Sequence, residues 1–176
     1  LGRFFDYHRF CPEVNIGLGV PRPKIYLTEI LGQVRCISSV DAAQDLTLRL
    51  ENAAHQQQAW LTGMYGYILK KNSPSCGKAD VSIETANDRA LVDSGIFAAT
   101  VRANNPLLPL AQEDELSNER TSQSFVQKVL VYHHWRKQYV QTRNRHSLAA
   151  FHDWLPQLSS NPFACGSEQT STITSG

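Results

Sequence analysis

The sequence has no long apolar run, few charged residues and no closely spaced cysteines, and each absence excludes a class of protein. No stretch approaches the roughly 18 consecutive apolar residues that span a bilayer, which excludes a membrane-spanning helix and a membrane partner. Charged residues make up 19% of the chain and hydrophobic residues 41%. Chains that stay disordered are rich in charge and poor in apolar residues, so this composition excludes disorder throughout.

The four cysteines, at positions 11, 36, 76 and 165, form no Cys-x-x-Cys pair, and none matches a zinc pattern with the histidines. Secreted disulfide proteins are smaller and denser in cysteine. Residues 1–10 are aromatic and charged, unlike the apolar segment of a secretory signal. We therefore expect reduced thiols and a cytoplasmic location.

The chain has 176 residues, a length that can bury one core, and helix-like and strand-like patterns alternate from residue 24 to 110. Asp41, with Gln44 three residues later, has the pattern of a helix N-cap. The pattern predicts strands at 24–27, 34–37, 65–70 and 107–110, and helices at 41–61, 95–103, 122–139 and 147–155. Such alternation favours an α/β fold with a mostly parallel sheet, followed by a C-terminal helical segment. In such sheets ligands bind beyond the carboxyl ends of the strands, where Cys76 would lie.

A basic segment follows the alternating part. Residues 128–152 contain five basic residues, no acidic residue and four of the six histidines: Lys128, Arg136, Lys137, Arg143, Arg145, His133, His134, His146 and His152. Such a segment can meet the phosphates of RNA. One interpretation is therefore a non-catalytic module that binds RNA or a protein through residues 122–152. From Ser159 the chain is rich in Ser and Thr and is predicted to be disordered.

The string Ser73-Pro74-Ser75-Cys76-Gly77 predicts a tight loop that holds a thiol. Pro74 restricts one φ angle, and Gly77 permits a positive φ. A thiol held in this way can be a metal ligand or a nucleophile. The alternatives are a polar turn with an incidental cysteine, or a thiol enzyme in which Cys76 is the nucleophile and a distant histidine is the base.

A second loop, at 10–23, contains Cys11-Pro12-Glu13 and ends in Pro21-Arg22-Pro23. A thiol two residues from a carboxylate can pair a metal ligand with a general base, although a buried Cys beside an exposed Glu has the same sequence. Arg22 can hold an anion or stack on a base, or remain solvated. Cys36 lies inside a predicted strand, where a small buried side chain is expected.

Five strings resemble the TudS-type thiouracil desulfidase domain, a family long described as of unknown function. They are CPEVNIGLGVPRP at 11–23, YILKKNSPSCG at 67–77, GIFAATV at 95–101, NNPLLPLAQEDEL at 104–116 and NERTSQSFVQKVLVYHHW at 118–135. RHSLAAFHDW at 145–154 resembles the opening of the helical domain that follows it in YbgA-like and RudS-like tRNA thiouridine desulfidases.

The resemblance implies a 4Fe-4S cluster held by three cysteines, with one iron left open to bind a thiocarbonyl sulfur. It implies hydrolytic removal of sulfur from 2-thiouracil or from 4-thiouridine in tRNA, by an enzyme classed as a hydrolase or lyase. Carried onto this sequence, Cys11 and Cys76 match two cluster ligands, Glu13 the catalytic carboxylate and Ser73 the catalytic serine. Arg22 is assigned a contact with the substrate.

The chain departs from the family pattern at both ends. The third cysteine of the family is expected upstream of Leu1, and Cys36 does not match its motif. The chain is therefore expected to be an inactive fragment as it stands. We expect a desulfidase domain without its first strand at 1–120, the start of a helical second domain at 121–155, and a tail at 156–176.

Overall fold

The structure, a computed structural model, describes residues 5–85, 89–92, 94–140 and 144–156. Arg143, Cys165 and the predicted tail beyond Ser159 lie outside this part. Helices and strands alternate as the α/β prediction requires, which confirms the fold class. The strands are β1 Ile25–Ile30, β2 Gln33–Ser38, β3 Tyr67–Leu69, β4 Val81–Glu84, β5 Arg89–Val92 and β6 Leu110–Gln112. The helices are α1 Pro12–Asn15, α2 Thr47–Gln56, α3 Gln58–Leu61, α4 Ile96–Asn104, α5 Glu119–Trp135 and α6 Arg145–Trp154.

The described strands form two sheets. The larger one is mixed, so the prediction of a mostly parallel sheet is wrong. Four strands pair in the order β2-β1-β4-β5, and β3 pairs with β6 in a second sheet. The pairs β1–β4 and β3–β6 are parallel, whereas β1–β2 and β4–β5 are antiparallel. Leu31 and Gly32, both with positive φ, join β1 to β2 in a two-residue turn, which requires antiparallel strands. The β4–β5 pair, separated by residues 85–88, was not predicted.

Helices α2 and α4 supply the apolar faces that bury the sheets. Leu50 and Ala54 of α2 and Phe97 and Val101 of α4 have no exposed surface. One cluster of buried side chains joins these helices to β3, and a second joins α2 and the first residue of α4 to β1 and β4. The two helices therefore hold both sheets in one body.

The first long helix starts six residues later than predicted, because the residues before it are bonded to β2. The backbone N–H of Ser38 donates to Gln44 O at 3.2 Å, and that of Leu46 donates to Cys36 O at 2.8 Å. Asp41 is therefore not an N-cap, and its carboxylate accepts from the N–H of Ala43 in a turn. The helical run is interrupted at Gln57, and α3 ends at the predicted position.

Most of the other predicted elements are present with shifted ends. Helix α4 and strands β1 and β2 lie at the predicted places. Strand β6 starts three residues later than predicted, and α1 lies inside the predicted loop 10–23. Asn118 caps α5 by accepting from the N–H groups of Arg120 and Thr121, and a π-helical turn at Arg136–Val140 follows. Within the described residues, no helix is both long and apolar enough to cross a membrane.

Candidate active site

The cysteine loop, Ser73–Gly77, lies between β3 and β4 on the first turn of α4. The N–H groups of Ile96 and Ala98 each donate at 3.1 Å, to the carbonyls of Pro74 and Ser75, respectively. The N–H of Gly95 donates to Gly77 O at 2.9 Å. A helix leaves its first N–H groups without partners inside the helix, and here the loop supplies them. The position of Cys76 is thereby tied to the start of α4.

Two glycines permit this close approach. A Cβ on Gly95 would lie 2.7 Å from three backbone atoms of the loop, in Pro74 and Ser75. A Cβ on Gly77 would lie 2.3 Å from the Val81 side chain and 2.9 Å from Ser73 O. These three distances are shorter than those real Cβ atoms show. The loop can therefore pack against α4 and Val81 only because these two positions carry no side chain.

Ser73 closes the loop through its own backbone and hydroxyl. Its carbonyl accepts from the N–H of Gly77 at 2.7 Å, and its Oγ accepts from the N–H of Cys76 at 3.1 Å. Serine commonly bonds nearby main-chain groups in this way. The side chain that the resemblance marks as catalytic therefore also shapes the loop that presents Cys76.

Helix α1 brings Glu13 onto this loop from a distant part of the chain. The Glu13 side chain is only 12% exposed, and Oε2 accepts from Arg22 Nε at 2.5 Å. Oε1 accepts from Ser75 Oγ at 2.7 Å, and Ser73 Oγ lies 3.4 Å from it. The hydrogen bond to Glu13 raises the pKa of Arg22, so the guanidinium is charged in this pair. The Arg22 contact that the structure gives is with the carboxylate.

Ser75 is a site residue that the sequence analysis missed. It is fully buried and contacts Glu13, Ser73 and the Cys76 sulfur, the last at 3.4 Å. The available signal was the Ser-Pro-Ser string itself, in which two serines flank a rigid proline directly before the cysteine. Sequence alone does not show which of the two hydroxyls points to the carboxylate.

Cys11 and Cys76 lie in this site, Cys11 directly before α1 and Cys76 in the cysteine loop. Burial raises the pKa of Cys76 to about 12, and negative charge on Glu13 and Cys11 raises it further, against hydrogen bonds from Ser75 and Ser73. The free Cys76 thiol is therefore protonated at neutral pH. Ser75 Oγ lies 3.4 Å from its sulfur, and no histidine is bonded to that sulfur in the described part of the chain, which is unfavourable for the thiol-nucleophile alternative.

Cys36 is buried in the core, as predicted for a strand cysteine. It has no exposed surface and packs with residues of β1, α2 and β4. Burial raises the pKa of its thiol to about 12, with further contributions from Glu13 and Asp45. Cys36 acts as a small apolar side chain.

The thiols fit two ligand positions of an iron–sulfur cluster, because thiolates are the usual ligands of such clusters. Among the described residues, no group of three or more His, Cys, Asp and Glu side chains is arranged to hold a metal ion. In the part of the chain that the structure describes, Cys11 and Cys76 are thus not joined by a third ligand side chain. A metal has to displace the Cys76 proton when it binds.

The basic segment is partly used in packing. The Arg136 guanidinium donates to the carbonyls of Thr62 and Met64, the latter at 2.8 Å, and its carbon lies 4.9 Å from the centre of the Tyr65 ring. Arg136 therefore fastens the end of α5 to the α3–β3 connection. Lys128, Lys137 and Arg145 are exposed.

Two of the histidines pack against aromatic rings. His133 meets the Tyr65 ring edge-on, with centroids 4.6 Å apart, and burial lowers its pKa to about 4. His134 stacks on Trp154 with centroids 3.9 Å apart, which attaches α6 to α5. At neutral pH His133 is therefore neutral.

Comparison with known proteins found one family and one solved structure that are similar to this chain. Residues 1–113 match the model of the 2-thiouracil desulfurase family. Among solved structures, the 4Fe-4S-dependent thiouracil desulfidase TudS is similar, with 26% identity, a TM-score of 0.47, and coverage of 65% of this chain and 72% of that one. No curated protein matches the chain. The family match spans all five residues predicted for the site and Ser75.

Proposed function

We propose that this chain, which belongs to the 2-thiouracil desulfurase family of enzymes, removes sulfur from a thiolated pyrimidine at the Cys11, Glu13 and Cys76 site. The observation that supports this site is the contact of Glu13 with the cysteine loop, between residues 62 positions apart. A carboxylate held beside two thiols combines a proton acceptor with soft ligands for iron.

The reaction is a hydrolysis without redox change. The oxygen of water adds to the thiocarbonyl carbon, and the carbon–sulfur bond then breaks. Sulfur leaves as hydrosulfide with one proton of the water, and the carbonyl of the pyrimidine remains. The second proton of the water passes to a base and then to solvent.

Glu13 is the base in this proposal. Arg22 and the loop hydroxyls hold its two oxygens, so the carboxylate has one orientation. Ser73 lies next to it and next to the Cys76 amide, where its hydroxyl can pass or donate a proton. Arg22, paired with Glu13, also provides a positive charge for an anionic substrate form.

Cys11 and Cys76 would hold a 4Fe-4S cluster as thiolates. When bound with one iron free of protein ligands, the cluster supplies a Lewis acid for the thiocarbonyl sulfur. We place this chemistry in the cytoplasm, where thiols stay reduced.

The substrate is either free 2-thiouracil or 4-thiouridine in tRNA. The exposed Lys128, Lys137 and Arg145 favour tRNA, because they can meet phosphates. In this proposal the chain consists of a catalytic unit at 1–120, the start of a helical unit at 121–155 and a tail at 156–176.

The test uses an extended chain, in which an added N-terminal segment supplies the third cysteine of the family. It is reconstituted anaerobically with iron and sulfide and then assayed with 2-thiouracil and with thiolated tRNA. Iron content, hydrosulfide release and loss of thiocarbonyl absorbance are measured. Cys11→Ser and Cys76→Ser are expected to lose bound iron, whereas the matched control Cys36→Ala keeps it. Unchanged iron in the first two variants contradicts the ligand assignment.

Glu13→Gln tests the base separately. Because the amide cannot accept the proton, hydrosulfide release should fall by about 100-fold or more at unchanged iron content. A variant with full activity excludes Glu13 as the base. Salt-sensitive RNA binding that survives Cys11→Ser and Cys76→Ser, without any desulfurisation, supports the non-catalytic alternative.

A further inference from the structure

We propose that Ser75 is a positioning residue that joins Ser73 to Glu13 and fixes the carboxylate in its working orientation. The role in catalysis rests on the proposed function, whereas the hydrogen bonds themselves do not. The feature that carries the inference is a buried hydroxyl with three polar neighbours from two distant parts of the chain.

The distances single out one contact. Ser75 Oγ lies 2.7 Å from Glu13 Oε1, 3.0 Å from Ser73 Oγ and 3.4 Å from Cys76 Sγ. A hydroxyl has a single hydrogen to donate. The short distance and the negative charge of the acceptor assign that hydrogen to Glu13.

The rest of the network then has one consistent direction. The N–H of Cys76 donates to Ser73 Oγ at 3.1 Å, so Ser73 uses its own hydrogen elsewhere. Its nearer acceptor is Ser75 Oγ at 3.0 Å, whereas Glu13 Oε1 lies at 3.4 Å. A chain of hydrogen bonds runs from the Cys76 amide through Ser73 and Ser75 to Glu13.

Ser75 is also the better anchored of the two serines. It has no exposed surface, and its carbonyl accepts from the N–H of Ala98 in α4. Its hydroxyl therefore starts from a fixed backbone. Without it, the nearest remaining donor to Oε1 is Ser73, at a distance where hydrogen bonds are weak.

The kinetic test compares Ser75→Ala with the buried-serine control Ser38→Ala in the reconstituted extended chain, with 2-thiouracil as substrate. Removal of an orienting partner commonly costs about 10- to 100-fold in activity, and we expect that loss in kcat for Ser75→Ala, with KM and iron content unchanged. Ser75→Thr keeps the hydroxyl and should recover most of kcat. A folded Ser75→Thr as slow as Ser75→Ala, or a kcat of Ser75→Ala close to that of Ser38→Ala, overturns the proposal.

A second test needs neither cluster nor turnover. Unfolding constants are measured for Ser75→Ala, Glu13→Ala and the double variant. If the hydrogen bond exists, the unfolding constant of the double variant rises less than the two single variants predict. The rise should be smaller, by about threefold or more, than the product of the two single rises. For Ser38→Ala combined with Glu13→Ala, the rise in the unfolding constant should equal the product of the two single rises.

The two proposals fail separately. Multiplicative effects for Ser75 and Glu13 overturn the inference whether or not the chain is active. An extended chain that carries the third cysteine but releases no hydrosulfide overturns the proposed function, and the unfolding measurements then decide the inference. An active chain with an unaffected Ser75→Ala variant overturns only the inference.

Discussion

Gly95→Ala is expected to displace the cysteine loop while leaving the backbone conformation of residue 95 unstrained. Gly95 has φ −67° and ψ 159°, which alanine adopts readily. With no other effect, the substitution would stabilise the fold by about 0.4–1 kcal/mol, because alanine restricts the unfolded chain. A loss of stability in Gly95→Ala would therefore indicate the steric effect, and a gain would indicate the entropic effect.

The steric effect follows from the distance to the loop. The added Cβ would lie 2.7 Å from Pro74 O and from the carbonyl carbon and oxygen of Ser75, whereas ordinary contacts begin at 3.4 Å. The loop must therefore move by about 0.7 Å. Because the obstructing atoms are backbone, no side chain can rotate away. Overpacking of this kind costs roughly 1–3 kcal/mol, which exceeds the entropic gain.

The assay is denaturant unfolding together with iron content after reconstitution. We expect a net loss of stability of about 1–2 kcal/mol and less bound iron, since the displaced loop carries Cys76. Gly63→Ala is the matched control, because its Cβ meets only the Trp60 carbonyl, at 3.2 Å. A Gly95→Ala protein that is as stable as Gly63→Ala and binds iron normally would refute the reasoning.

Two further predictions concern the helical segment. Arg136→Gln removes the guanidinium bonds to the carbonyls of Thr62 and Met64, and denaturant unfolding should show a loss of about 1–2 kcal/mol; no loss would mean that the end of α5 is held by its rings. The pKa of His133 in the folded protein, about 4, lies below its ordinary value, so the unfolded chain binds the proton more tightly. The stability from neutral His133 is therefore present above about pH 6.5 and lost as the pH falls towards 4. Unfolding measured across that range should show this slope, reduced in His133→Gln, and an equal slope in the variant would contradict it.

Much of the fold could be predicted because its signals are local. The pattern around Gly95 predicts α4 correctly, and the turn at Gly32 places β1 and β2 next to each other. The start of α2 could not be predicted, because hydrogen bonds from β2 override the capping pattern at Asp41. The β4–β5 hairpin also lacked a signal, and with it the mixed character of the sheet.

The sequence by itself determined the chemical groups of the site, since Cys11, Glu13, Arg22, Ser73 and Cys76 stand in two short strings and all meet in the structure. Only the tertiary structure decided how they connect. The hydroxyl nearest Glu13 belongs to a different serine of the loop, Ser75, because the direction of a side chain depends on how α4 and α1 pack around that loop. The burial of Cys36 in the core is likewise a result of packing, which pairs residues far apart in sequence and leaves no local pattern behind.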